Sequence, residues 1–361
     1  MNSTTALNRA GQSLWLDTIT RDLLTSGTLQ HYIDDLAVTG LTSNPTIYDK
    51  AIGGSSAYDD HVRSAAARGA GAEELFFGAA VDDLTRAADL FRPVHDLTGG
   101  VDGFVSLEVS PVLAYDRAAT TEQAARLHAM AGRPNLFIKI PGTPEGLGAI
   151  EDSIFAGIPI NVTLLFSPDQ YLAAAEAYTR GVERRVEAGK PAFVASVASV
   201  FVSRWDGIVA DRVPDELQLQ LGLAIGRRLY VDYRRFFASD RWQRLLNVGA
   251  RPQRLLFAST GTKDPTASDI LYVAGLAAPH TVNTMPEGTL LAYADHGRYD
   301  RLLSADPADP AADLARFIAA GIDIEAVGLE LQQKGAAAFV ASWTSLLERI
   351  AAKTAEVAAA R

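Results

Sequence analysis

Eight short apolar runs punctuate the chain, each followed by a segment with helical spacing, and this alternation constrains the fold more than any other feature. They fall at 13–17, 38–42, 103–109, 135–140, 159–164, 192–196, 253–259 and 280–284. Runs such as LFIKI (136–140), PINVTLL (159–165) and RLLFAS (254–259) are apolar nearly throughout rather than alternating. That character marks strands covered on both faces, hence a parallel sheet with helices outside it. Eight such strands are the number that closes a barrel. The pattern predicts an α/β fold: a single (β/α)8 TIM barrel with additional helices and a helical C-terminal tail.

The strand-to-helix joints carry caps. Thr143-Pro144-Glu145 reads as N-cap, proline at N1 and an acid favoured by the helix dipole, and Ser167-Pro-Asp-Gln170 reads as a capping box. Thr120 with Gln123 offers a third box, and Leu172, Ala175, Tyr178 and Val182 mark one face of a helix. Two connections exceed what a barrel of ~250 residues needs. They predict helical insertions at about 52–100 and 204–250, and the Ala-rich tail at about 306–361 reads as helical throughout. No Pro-, Gly- or Ser-rich linker separates two cores, so residues 1–361 are expected to form one domain. The rival arrangement, two Rossmann-like halves, lacks its signature, since no G-x-G-x-x-G follows the early strands and no Walker loop occurs.

Composition removes other classes. The 361 residues contain no cysteine, which excludes thiol nucleophiles, thiolate ligands and disulfides and suits a reducing, cytoplasmic compartment. The six histidines are scattered without HxH or HExxH spacing, so no metal site is expected. A net charge of -10 has the wrong sign for a protein whose main partner is nucleic acid. Residues 1–12 lack a basic segment followed by an apolar run, so no signal peptide is expected, and no apolar stretch reaches the ~20 residues that span a bilayer.

In a parallel barrel, chemistry collects at the C-terminal ends of the strands. Polar residues recur there: Asp17 after the first run, Asn44 in TSNP after the second, Glu108 in the third, Lys139 in the fourth, and Asn161 and Thr163 in the fifth. The sixth leads to Ser199 and Arg204, the seventh to Ser259 and Lys263. Lys139 is one of only six lysines and sits among Leu136, Phe137, Ile138 and Ile140, where desolvation favours the neutral, nucleophilic amine. Each residue also has a plainer role open to it. Lys139 could be a structural partner of Glu108 or Asp17, Asp17 could cap a helix near Thr20, Asn44-Pro45 is a common turn pair, and Thr163 is an ordinary strand residue. Together, an amine, two carboxylates, several hydroxyl-binding groups and local cations suit Schiff-base carbon–carbon chemistry on a sugar phosphate, with Arg204 and the 259–263 loop cradling the phosphate.

These residues resemble those of the transaldolases, in particular the longer bacterial subfamily. The resemblance runs through SLWLDTITRDLLTSGTL (13–29), GLTSNPTIYDKAI (40–52), VSLEVSP (105–111), NLFIKIPGT (135–143), INVTLLFS (160–167), SVFVSR (199–204), FASTGTKDP (257–265) and TVNTMP (281–286). It implies transfer of a dihydroxyacetone unit from sedoheptulose 7-phosphate to glyceraldehyde 3-phosphate, without metal or organic cofactor. It also implies roles: Lys139 forms the Schiff base, Glu108 shuttles protons through a water held by Thr163, and Asp17 removes the C4 hydroxyl proton. Asn44, Asn161 and Ser199 hold hydroxyls of the retained unit, and Arg204 binds phosphate. The shorter transaldolases carry a second Arg after the serine of strand seven, where this chain has Ser259-Thr-Gly-Thr-Lys263, so Lys263 is taken as the substitute ligand. Ser203 stands where those proteins have glycine.

The sequence leaves two other readings open. A fructose 6-phosphate aldolase of the same superfamily would release dihydroxyacetone to water; those aldolases resemble this site except for a tyrosine near the catalytic water, and Glu108 favours transfer. A non-catalytic sugar-phosphate-binding barrel has no evident need to keep Asp17, Glu108 and Lys139 together. A monomer and a homodimer both fit the sequence.

Overall fold

A computed structural model describes residues 2–306 and 308–359. Eight parallel strands close into a barrel in chain order: β1 (Gln12–Leu16), β2 (Val38–Thr42), β3 (Val105–Glu108), β4 (Leu136–Pro141), β5 (Ile160–Leu165), β6 (Ser196–Phe201), β7 (Arg254–Ala258) and β8 (Thr281–Met285). The seam joins β1 to β8 through five register pairs, from Gln12 opposite Thr281 to Leu16 opposite Met285. Burial on both faces explains the continuous apolar runs. One contiguous buried core runs from Leu7 to Ile350.

Register sets the chemistry. Glu108 of β3 lies opposite Lys139 of β4, and Lys139 lies opposite Asn161 of β5. These three side chains therefore form a row across adjacent strands on the inner face, near the end where helices begin. Thr163, two residues beyond Asn161, shares that face, as the period of two requires.

Thr143 accepts a hydrogen bond from the Gly146 N–H at 3.1 Å to start the helix Pro144–Ala156. Ser167 and Gln170 form the full capping box at the start of Pro168–Glu187. The expected third box is absent. Asp116 caps the helix Arg117–Ala131, while Thr120 sits inside it and donates to the Leu113 carbonyl. Gln123 accepts from Ser110 N–H at 2.6 Å instead.

The sixth strand also differs from expectation. Residues 192–195 lead in, with the Ala195 carbonyl accepting from Ile160 N–H at 3.2 Å, and the strand begins at Ser196, where the expected run 192–196 ends. Serine inside an apolar run reads as an interruption, yet here Ser196 donates to the Ile160 carbonyl at 2.7 Å and accepts from Gln253 at 2.9 Å. Hydroxyls satisfied by neighbouring strands cost the sheet little. Ser199 is consequently a strand residue and not part of the loop beyond it.

The two insertions are helical, with Asp59–Ala67 and Ala72–Leu97 in the first and Leu221–Phe237 and Asp240–Asn247 in the second. The tail is two helices, Ala308–Ala319 and Ile324–Ala359, interrupted at residues 320–323, where Gly321 takes a left-handed φ of 86°. The last helix, 36 residues long, lies across the C-terminal mouth of the barrel. Its Glu325 accepts from Ser167 at 2.6 Å, and buried Gln332 donates to the carbonyls of Gly142 and Leu164 at 3.0 and 2.9 Å. Farther along, Trp343 packs on Phe76 and Phe77, Arg349 pairs with Asp49 at 2.7 Å, and Lys353 donates to the carbonyls of Ile52 and Ser55. The helix thus spans from the loops after β4 and β5 to the helix after β2.

Candidate active site

At the floor of the mouth, the Lys139 ammonium lies 3.2 Å from a Glu108 carboxylate oxygen, with both side chains almost fully buried. The Lys139 amine also donates to the Ser43 carbonyl at 3.3 Å, and the Phe339 ring covers it at 5.9 Å. A charge taken out of water is tolerated only when paired, and here each partner is the other's main compensation. Burial pushes the Glu108 carboxyl above the usual carboxylate range, while the neighbouring Lys139 opposes the shift. Neither Glu108 oxygen makes an aligned hydrogen bond within the protein, so the contact is a close ion pair.

Asp17 follows β1 and is held by its backbone, whose N–H donates to the Met285 carbonyl at 2.8 Å across the seam. Its carboxylate accepts from Thr42 at 2.8 Å, and Thr42 shares a further contact with Thr284. It caps nothing, because Thr20 is the N-cap of the helix Arg21–Thr25. Asn44 caps the helix Pro45–Gly54, accepting from Ile47 N–H at 3.1 Å, so the turn role and a place in the mouth coexist.

Asp17, Asn44, Lys139, Ser199, Arg204, Ser259 and Lys263 line one cavity of about 470 Å3, within the range of small-molecule sites. Glu108, Asn161 and Thr163 lie beneath this lining. The Asn161 amide donates to Ser106 at 3.0 Å and accepts from Ser199 at 2.7 Å, which fixes its orientation. The Thr163 hydroxyl is buried without a partner in the protein.

Cations gather on the opposite side. Burial lowers the pKa of the Arg204 guanidinium, with Asp17 and Glu108 opposing the shift, and partial desolvation followed by repulsion from Arg204 lowers that of Lys263. The two cations are thus close enough to feel each other. Ser259 takes a left-handed φ of 55°, unusual for a residue with a side chain, and its hydroxyl meets Ser203 at 2.9 Å. That contact gives Ser203 a structural role: it ties the start of the helix Ser203–Val209, after β6, to the loop after β7. Thr260 completes the anchorage through Asn283 and the Thr284 carbonyl, both at 2.9 Å.

Sequence reasoning missed Phe201, Asp269, Thr284 and Phe339, all of which line the cavity. For Phe339 a signal existed. Phe339 and Trp343 are four apart in an otherwise Ala-rich tail, the spacing of one buried helical face. Gly335, one turn earlier, lets the helix approach Arg204: a Cβ there would stand 3.3 Å from a guanidinium nitrogen.

Comparison with known proteins finds relatives of this chain along nearly its whole length. The family model described as transaldolase/fructose-6-phosphate aldolase matches residues 14–350. The chain is similar to a transaldolase of Acidothermus cellulolyticus, 47% identical over 94% of each chain. Similar too are the transaldolases of Thermobifida fusca, 44% identical over 97% of each, and of Mycobacterium tuberculosis, 44% identical over 95% of each.

Proposed function

The chain belongs to the transaldolase/fructose-6-phosphate aldolase family, and on that premise we propose that it acts as a transaldolase. It is a transferase that moves a dihydroxyacetone unit from sedoheptulose 7-phosphate to glyceraldehyde 3-phosphate, giving erythrose 4-phosphate and fructose 6-phosphate. The observation that carries this reading at the level of residues is the buried Lys139–Glu108 pair at 3.2 Å beneath a polar mouth.

In this reading the Lys139 amine adds to the C2 carbonyl, and the carbinolamine loses water to give an iminium. Glu108 gives and takes the protons of these steps through a water held by Thr163, a role suited to a carboxyl whose pKa burial raises while Lys139 opposes the shift. Asp17, oriented by Thr42, accepts the C4 hydroxyl proton. The C3–C4 bond then breaks, its electron pair flows into the iminium, and the aldose leaves while an enamine stays on Lys139. That enamine adds to the acceptor aldehyde, Asp17 returns the proton, and water releases the new ketose. Asn44, Asn161 and Ser199 hold the hydroxyls of the retained unit, while Arg204, Lys263 and Ser259 bind the phosphate. The continuous core from Leu7 to Ile350 supports reading residues 1–361 as one domain. The cysteine-free composition supports a cytoplasmic setting, and no described helix is long and apolar enough to cross a membrane.

Incubation with fructose 6-phosphate, reduction with borohydride and peptide mapping by mass spectrometry tests the assignment. The expected adduct is on Lys139, and Lys139→Ala is expected to lose both adduct and transfer. An adduct at another lysine, or transfer retained by Lys139→Ala, overturns it.

A further inference from the structure

The opposite end of the barrel holds a second cavity of about 630 Å3, built from segments that enter the strands rather than leave them. In this fold that face ordinarily serves stability. A face built only for stability would be expected to pair its arginines with acids, as the flank of this molecule does. There Arg241 reaches Glu176 and Glu183 at 2.8 and 2.7 Å, and Arg184 reaches Glu151 at 2.9 Å.

The second cavity does the reverse. Arg234, Arg251 and Arg254 line it together with His280, and Asp102 is the one carboxylate among its described lining residues. The Asp102 oxygens already accept from Trp15 at 2.8 Å, from Gly103 N–H at 3.0 Å and from Ser13. Arg254 approaches that carboxylate only to 4.0 Å and donates instead to Ser13, Val101 and Thr281, all neutral acceptors. Arg251 donates to the Gly99 carbonyl at 2.6 Å, and Arg234 to the Tyr230 hydroxyl at 3.2 Å. Three guanidiniums thus face a single carboxylate there, a local excess of positive charge on a chain of net charge -10. The His280 ring registers the same field: burial lowers its pKa first, and Arg234 and Arg254 lower it further.

Flat apolar surface accompanies the charge. Phe193 carries the Arg251 guanidinium 4.3 Å above its exposed ring, while Phe137 behind it is buried, stacked on Phe104 at 4.1 Å. His280 holds a left-handed φ of 65°, pinned by its N–H to the Gly11 carbonyl at 2.8 Å and by its carbonyl to Tyr233 at 3.1 Å. Strain of this kind persists only where the surroundings enforce it.

We propose that this cavity is a second binding site, separate from the barrel mouth, for an organic anion with a flat apolar body and a phosphate, sulfonate or carboxylate group. Arg234 and Arg251, which donate to neutral acceptors, keep their charge for the anion, and the exposed Phe193 ring receives the body. The site stands whatever reaction the other mouth performs.

Titration of the full chain with anilinonaphthalene sulfonate, an aromatic anion that fluoresces out of water, tests this. The expected result is one site per chain, unaffected by saturating fructose 6-phosphate and weakened by added salt. Arg234→Gln with Arg251→Gln is expected to cost about tenfold or more in affinity, the scale of one charge-assisted bond. Phe193→Ala, at a ring 36% exposed and so safe for folding, is expected to weaken the probe as well. Displacement of the probe by fructose 6-phosphate overturns the proposal. So does full affinity in the arginine double variant when circular dichroism shows its fold intact.

Discussion

Lys139 and Glu108 each offset part of the cost of burying the other, so replacing either is expected to be felt by both. If Glu108 carries the protons as proposed, Glu108→Gln, which keeps the shape, is expected to lower kcat about 10²- to 10⁴-fold, with Lys139 still trapped slowly by borohydride. The same variant carries a pH signature. The native Glu108 carboxyl keeps its proton above the value of 4.5 at which an ordinary glutamate loses it, so the native state binds more protons than the unfolded one in that interval. Stability from this group is present below that interval and is lost as pH rises through it. Urea unfolding of wild type against Glu108→Gln, from about pH 4 upward, is expected to show wild type losing ground to the variant. A flat difference would place Glu108 outside that linkage. Residues of this kind are legible in a sequence because a charge inside LFIKI or VSLEV has few places to go. What sequence could not display was how Asn161 is held: its partners Ser106 and Ser199 come from β3 and β6, on either side of it in the barrel.

The elements repeat the lesson with different causes. Caps at Thr143 and Ser167 were legible because they involve neighbours in sequence, whereas β6 was misplaced because its serines are satisfied across strands. The final helix was legible as a helix and silent about its position, which depends on Gln332 reaching Gly142 and Leu164. Gln332→Leu deprives two buried carbonyls of their side-chain donor and is expected to cost about 1–3 kcal/mol in denaturant unfolding. Phe339→Leu tests the roof of the site. With less cover over Lys139, water is expected to reach the enamine more readily, so free dihydroxyacetone rises severalfold relative to transferred product. An unchanged ratio of the two products would show that the ring does not exclude water from the reaction.

For the whole molecule, the closed ring of strands was countable from the runs, and the net charge of -10 was correct but silent on placement. The fold gathers Arg204 and Lys263 at one mouth. If they bind phosphate, Arg204→Ala is expected to raise KM for fructose 6-phosphate by about 10- to 100-fold, the scale of one charged hydrogen bond. Lys263→Ala, at an exposed rim position, is expected to cost less, and rates with unphosphorylated acceptors should move little in either variant. Equal losses on phosphorylated and unphosphorylated substrates would assign these cations elsewhere. The seam between β1 and β8 carries a consequence for how the protein comes into being. A ribosome adding about 5–20 residues per second leaves β1 without its second neighbour for roughly a quarter of a minute to a minute. Lys139 and Glu108 belong to adjacent strands and can meet earlier, but Phe339 emerges after β8, so the amine gains its roof only near the end of synthesis. Each newborn chain therefore passes through an interval in which the Lys139 amine, buried in the finished barrel, stands open to its surroundings.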